Sequence, residues 1–371
     1  MMTSKERILN SIYRKPIDRV PISLYEISAY SSDTHGSFAN HEPSYANLIS
    51  VMKEKTDNIL LTGNSTYYPE IGKVTEVTSK REGISTYTTV VLHTPKGDLT
   101  YRNRVDDNIH TAWTLEHYLK DIDDIEKYMS LDFTCKVNND TMMKNKTELG
   151  DDGILCASIA DPVCRGAELF AMEDFLVYAL TDTDVISKFL DFLWELTEFE
   201  LKGMCACDMK DVMVRICGPE YVTPPYMKTE YFGMFVTKYL DKMSDMINDA
   251  GGISRVHSHG KIRHALTEFA KTNVMCVDPL EPIPDGDIDL HEIKQLYGDK
   301  FTLMGNIELK DLEHAEPERV EQIVKEALDI GKPGGGFILL PTATPINVPL
   351  SPKTEKNMIT MIETAYEYGR Y

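Results

Sequence analysis

The chain has 371 residues, 42% apolar and 26% charged, without a low-complexity tract, which marks a folded globular protein. Its formal charge of −20 repels polyanions, so nucleic acid and an anionic membrane surface are excluded as primary partners. No run approaches the roughly 20 apolar residues of a membrane span. The opening residues, MMTSKER, start a polar helix and lack the apolar core of a secretory signal. Seven scattered cysteines form no disulfide framework, so a reduced, cytoplasmic setting is expected. Cys205 and Cys207 fall in a helical stretch whose spacing aims the thiols apart, and they read as packing.

Eight short β-rich runs recur along the chain. They are Val20–Glu26, Asn58–Thr62, Gly153–Ser158, Asp211–Cys217, Ile253–His257, Asn273–Asp278, Phe301–Gly305 and Gly336–Pro341. Amphipathic helical patterns separate the last five, for example Glu230–Asn248, Lys261–Lys271 and Pro317–Ile330. Strands alternating with helices predict parallel pairing, and eight such units predict an α/β (β/α)8 barrel of the TIM type. Between the second and third runs, Val74–Val105 holds two alternating stretches around Pro95 and Gly97, which predict a β-hairpin inserted on the barrel. Leu115–Glu200 is mostly helical. No linker interrupts the chain, so residues 1–371 are expected to form one domain.

A barrel places its chemistry at the carboxyl ends of the strands. The polar residues there are Glu26, Ser65, Asp161, Cys217 with Glu220, His257 with His259, Asp278 with Glu281, Asn306 with Glu308, and Thr342 with Thr344. In Ile253–Gly260 the two histidines are two apart on a strand that ends at a glycine, so both can aim at one point. Converging imidazoles make half of a metal site. The alternative has one histidine hydrogen-bonded in the core and the other capping the next helix. Asp278 and Glu281 either orient a histidine and accept a proton or simply close the strand end. Cys217 and Cys276 are alternative soft ligands, although Cys276 fits better as barrel packing. Tyr25, Tyr30, Tyr226 and Phe232 are candidates to wall an aromatic pocket. Glu26, Glu281 and Asn306 complete the candidate substrate-binding set.

Ser4–Asn10 (SKERILN) followed by Pro16–Pro21 (PIDRVP) resembles the opening of the uroporphyrinogen decarboxylase superfamily. Val256–Ile262, Asp278–Pro282, Gly298–Asn306 and Gly334–Pro345 continue the resemblance in order to the end of the chain. It implies the (β/α)8 fold and two alternative chemistries. The decarboxylase branch holds a tetrapyrrole's propionates with an arginine-rich motif after the first strand; here Leu24–Gly36 contains no arginine. A polyanion in a mouth without those cations is disfavoured.

The other branch transfers methyl groups with zinc and a corrinoid partner. Its thiol-methylating members carry a His-x-Cys strand end and a distant cysteine; here these positions hold His257 with His259, and Ala343. A harder site of imidazole and carboxylate suits an oxygen ligand, which resembles the O-demethylating methyltransferases. Gly218–Tyr226 fits that subgroup. The resemblance implies zinc held by Glu220, His257 and His259, with Glu220, His257 and Asp278 as the catalytic set. Glu220 as a helix-start residue, and His259 as a support for the other ligands, are the alternatives.

The expected activity takes a methyl group from a methoxylated, aromatic compound to cobalamin carried by a separate corrinoid protein. No cobalamin-binding Asp-x-His-x-x-Gly motif is present to hold it in this chain. Methanol, methylamine or thiol chemistry, a metal-free lyase, and a binding subunit without catalysis are the other classes. A homodimer stays open.

Overall fold

The computed structural model describes residues 2–31, 38–63 and 66–371; Ser65 lies outside them. Among the described residues, seven parallel strands form one sheet in chain order. They are β1 Asn58–Leu61, β2 Gly153–Ala160, β3 Val212–Cys217, β4 Ile253–His257, β5 Cys276–Asp278, β6 Thr302–Ile307 and β7 Phe337–Pro341. Each pairs along its ladder with its sequence neighbours, and all six pairings are parallel. Helices follow the strands, including Thr183–Met204 after β2, Lys238–Asp249 after β3, Pro317–Gly331 after β6 and Pro352–Tyr368 after β7. The strands read as near-continuous apolar runs because helices cover their outer faces. The fold is TIM-barrel-like.

The predicted first strand, Val20–Glu26, is not one. It makes a single parallel bridge, Ile22 with Leu339, and then turns back on itself at Leu24–Ile27. Two features stop it. Pro21 has no N–H to donate to a ladder, and Tyr25 adopts φ 59°, a left-handed conformation that ends an extended run. The segment still lies between the two edge strands. Leu339 donates to the Pro21 carbonyl and Ser23 to the Leu339 carbonyl, both at 2.9 Å, and Asp57 donates to the Ile22 carbonyl at 2.7 Å.

The floor of the sheet is plugged by the first helix, Ser4–Ile12. Thr3 and Glu6 form a reciprocal capping box at its start. Ile8 and Ile12 enter the interior and pack with Ile59, Ile154, Met213 and Ile253. Because strand side chains alternate, Met213, Arg215 and Cys217 share one face, as do Ile253, Arg255 and His257. The interior therefore runs from apolar at the floor to polar at the carboxyl-end mouth.

Between β1 and β2 the chain forms a four-stranded antiparallel sheet: Thr75–Glu82, Ser85–Thr94, Gly97–Asp106 and Ala112–Glu116. Its central pair turns at Pro95 and Lys96, with Gly97 at φ 119°. The loop before its last strand meets the loop after β7: His110 donates to the Ile346 carbonyl at 2.7 Å and Val348 to that of Asn108 at 2.9 Å. Among the described residues, no helix is long and apolar enough to cross a membrane.

Candidate functional site

His257 ends β4 and is almost fully buried. Its Nδ1 lies 2.9 Å from Asp278 Oδ2, and its Nε2 lies 2.9 Å from the Tyr25 hydroxyl. Asp278, wholly buried on the neighbouring β5, also takes two hydrogen bonds from the Arg255 guanidinium, each 2.5 Å long. Burial opposes its charge, but Arg255 and His257 hold the Asp278 carboxyl well below the usual carboxylate range. Arg255 already neutralises that charge, so His257 need not be an imidazolium. Burial pushes its pKa down to about 4 despite Asp278. The neutral ring then donates from Nδ1 to Asp278 and accepts from Tyr25 at Nε2. The left-handed backbone of Tyr25 turns its phenol inward to make that contact.

His259 stands two residues on, its ring 4.6 Å from that of His257 and perpendicular to it. Glu281 Oε1 accepts from His259 Nδ1 at 2.8 Å, and Oε2 accepts from the Gly260 N–H. Burial lowers the His259 pKa, but the Glu281 hydrogen bond and charge, with Glu220 and Asp278 behind them, raise it overall. Both histidines are thus tied through Nδ1 to a carboxylate. That fixes their tautomers and leaves Nε2 as the outward atom.

Glu220 sits on the short 3-10 helix Pro219–Val222 that follows β3. Burial raises its pKa, and its Oε2 has no hydrogen-bond partner among the described residues. Gly218, at φ 129°, brings this helix close in: a Cβ there would stand 2.3 Å from Cys164 Cβ and 2.5 Å from Asp161 Oδ1. Asp161, at the end of β2, caps the helix Pro162–Leu169 through a 2.7 Å bond from Cys164 N–H, while its Oδ2 is buried without a partner. Burial pushes the Asp161 carboxyl up to about 8.

A raised carboxyl pKa means that the folded state holds its proton more tightly than the unfolded chain. Its stabilising contribution is complete below pH ~4 and is lost as pH rises through about 8. Asp161→Asn keeps the capping oxygen and removes the titration. It should be close to neutral at pH ~4 and stabilising by about 1–3 kcal/mol at pH ~9, read from urea unfolding at both pH values. A pH-independent difference would contradict this.

The remaining candidates divide. Glu26 holds Arg215 at 2.9 Å, and Arg215 lies beside the Tyr25 ring. Asn306 is buried at the end of β6. Glu281 is committed to His259 and Gly260 rather than offered to a substrate. Asp278, with no exposed surface, positions His257 and cannot itself meet one. Tyr30 is misplaced: the chain has turned back, and its hydroxyl faces Asp152, just before the amino end of β2 and away from the mouth. Tyr226 is half exposed. Phe232 is core and Cys276 packs inside the barrel. Arg215, Arg255 and the orphaned Asp161 oxygen are the features sequence reasoning missed. An arginine two residues before His257 on a strand was the available signal, since it must share the inner face.

Among the described residues, no three His, Cys, Asp or Glu side chains stand close enough together to hold a metal ion as placed. The donor chemistry nevertheless fits one. Among the described residues the buried Glu220 Oε2 has no hydrogen-bond partner, the His259 ring is bonded through Nδ1, and His257 Nε2 meets the Tyr25 hydroxyl. A TIM-barrel-like chain with paired histidines, each backed by a carboxylate at its carboxyl-end mouth, is the class these features define.

The profile of the uroporphyrinogen decarboxylase (URO-D) family matches residues 110–368, and the chain belongs to that family. Its structure is similar to that of a methyltransferase from Methanosarcina mazei, with TM-score 0.62 and 14% identity over 99% of each chain. At that identity the likeness speaks to the fold. The YdhT protein from Bacillus subtilis is more distant: TM-score 0.42 and 11% identity, over 91% of this chain and 86% of the other. No curated protein sequence matches.

Proposed function

We propose that this protein is a zinc-dependent methyltransferase. It takes a methyl group from a methoxylated, aromatic compound to the cob(I)alamin of a separate corrinoid protein. The observation that carries this reading is the pair of histidines, each tied by Nδ1 to a carboxylate, together with a Glu220 oxygen that has no hydrogen-bond partner among the described residues. The methyltransferase activity named for the Methanosarcina mazei neighbour supports it. The decarboxylase alternative is disfavoured by charge. The two arginines inside the mouth are both spent, Arg255 on Asp278 and Arg215 on Glu26, which leaves neither for a substrate's carboxylates.

His257, His259 and Glu220 would hold the zinc. Bound there, zinc supplies Lewis acidity to an ether oxygen, which stabilises the charge left when the methyl group departs. Asp278 and Glu281 keep both imidazoles in the tautomer that presents Nε2. Arg255 keeps Asp278 ionised for that task. Tyr25, once it releases His257, would donate a hydrogen bond to the oxygen that loses its methyl group. The C–O electron pair would stay on that oxygen, and the methyl group would be accepted by the cob(I)alamin of the partner protein.

The test is direct. The zinc-loaded chain, incubated with methoxylated phenols and cob(I)alamin, should convert the cobalamin to methylcobalamin, followed by its visible spectrum. No turnover across a broad panel of methoxylated aromatics would contradict the activity.

A further inference from the structure

A cavity of about 650 Å3 lies between the inserted antiparallel sheet and the helix Pro162–Leu169, within the size range of small-molecule pockets. Its walls are aromatic: Tyr101, Tyr118, Tyr128, Phe170 and Tyr221. Tyr101 and Tyr118 stack at 5.2 Å and present a flat surface. Tyr221 directly follows Glu220 on the short helix after β3, so one wall of the cavity belongs to the element that carries Glu220. Nothing in the reaction outlined above uses this space.

Its polar groups define an occupant. The hydroxyls of Tyr118, Tyr128 and Tyr221 have no hydrogen-bond partner among the described residues, and burial raises the pKa of all three, so they remain O–H donors. They suit a ring bearing ether or hydroxyl oxygens. Arg165 also lines the cavity, but Glu200 at 2.9 Å and Thr197 at 3.1 Å consume its charge and reach. The Glu168 carboxylate lines it too and has no cationic partner among the described residues. The local field is therefore negative, under a chain that already carries −20. A phenol O–H can donate to Glu168, whereas a benzoate is repelled.

We propose that this cavity binds a neutral, oxygen-substituted aromatic ring, a methoxyphenol rather than a methoxybenzoate. The methoxy substituent rests on the methyl-transfer reading; the preference for a neutral ring rests on the cavity alone.

Calorimetric titration of the full chain, metal-free and zinc-loaded, with 2-methoxyphenol and with 4-hydroxy-3-methoxybenzoate tests it. Saturable binding of the phenol is expected in both metal states, with the benzoate weaker by about tenfold or more. Glu168→Gln should narrow that gap about tenfold while leaving the phenol within about threefold. Thr114→Trp, placed on an exposed edge strand where a larger side chain leaves the core untouched, should fill the cavity and weaken the phenol by more than about tenfold. Absence of saturable phenol binding, or binding indifferent to Thr114→Trp, overturns the proposal. Cavity binding without methyl transfer supports it and removes only the methyl-transfer reading. Methyl transfer from 2-methoxyphenol, together with phenol binding that Thr114→Trp leaves unchanged, removes the cavity and keeps the reaction.

Discussion

Replacing Asp278 with alanine will destabilise the protein by about 3–5 kcal/mol, because it strands a buried cation. Arg255 is 2% exposed and Asp278 is fully buried; the carboxylate is the acceptor for two guanidinium bonds. Without it the guanidinium keeps its charge, since arginine does not deprotonate in proteins. Arg255 then sits at the level where the interior turns from Met213 and Cys276 to the polar mouth, with no counter-charge on its own strand or the next. His257 loses the acceptor of its Nδ1–H as well. Urea unfolding followed by circular dichroism measures the loss. The double variant Arg255→Met with Asp278→Leu should recover most of it, because removing both charges leaves nothing uncompensated. A single Asp278→Ala variant within about 1 kcal/mol of the parent would show that the pair is solvated in a way its burial denies.

The second large effect concerns zinc. His259→Ala and His257→Ala should each weaken zinc binding by more than about 100-fold, since each removes a donor atom, while Glu281→Gln should weaken it by about 10- to 100-fold through its hold on His259. Competition with a chromogenic chelator gives the three affinities. The order matters more than the absolute values. Among the described residues the Glu281 carboxylate accepts from His259 Nδ1 and the Gly260 N–H, so its effect must be the smaller if His259 is the ligand. Equal losses in Glu281→Gln and His259→Ala, with folding intact, would place the carboxylate rather than the imidazole on the metal.

Much of the fold was legible because parallel strands buried on both faces read as short apolar runs, and seven of the eight predicted runs are strands. The eighth, Val20–Glu26, looks the same in composition. Its difference lies in the missing donor of Pro21 and the left-handed backbone at Tyr25, and no residue type announces the latter. The histidine pair was legible from its spacing alone. Their partners were half legible: Asp278 and Glu281 were noted at a strand end, but whether they serve substrate or histidine depends on which strand lies next to which.

Tyr30 and Tyr226 are aromatics that the sequence offers for the pocket wall. The turn after Leu24 carries one to the opposite end of the sheet, and the other is exposed. The aromatic cavity was invisible in one dimension, because its lining is drawn from Tyr101 to Tyr221 and converges only when the inserted sheet packs on the helix Pro162–Leu169.

Elemental analysis of the purified chain, prepared without chelators and then reloaded with zinc, tests the central claim most directly. About one zinc per chain, retained through gel filtration, is the result expected for a site of His257, His259 and Glu220. A chain that arrives without metal and takes up none on reloading would contradict the zinc-dependent mechanism outright. The paired histidines would then be left as hydrogen-bonded members of the barrel interior.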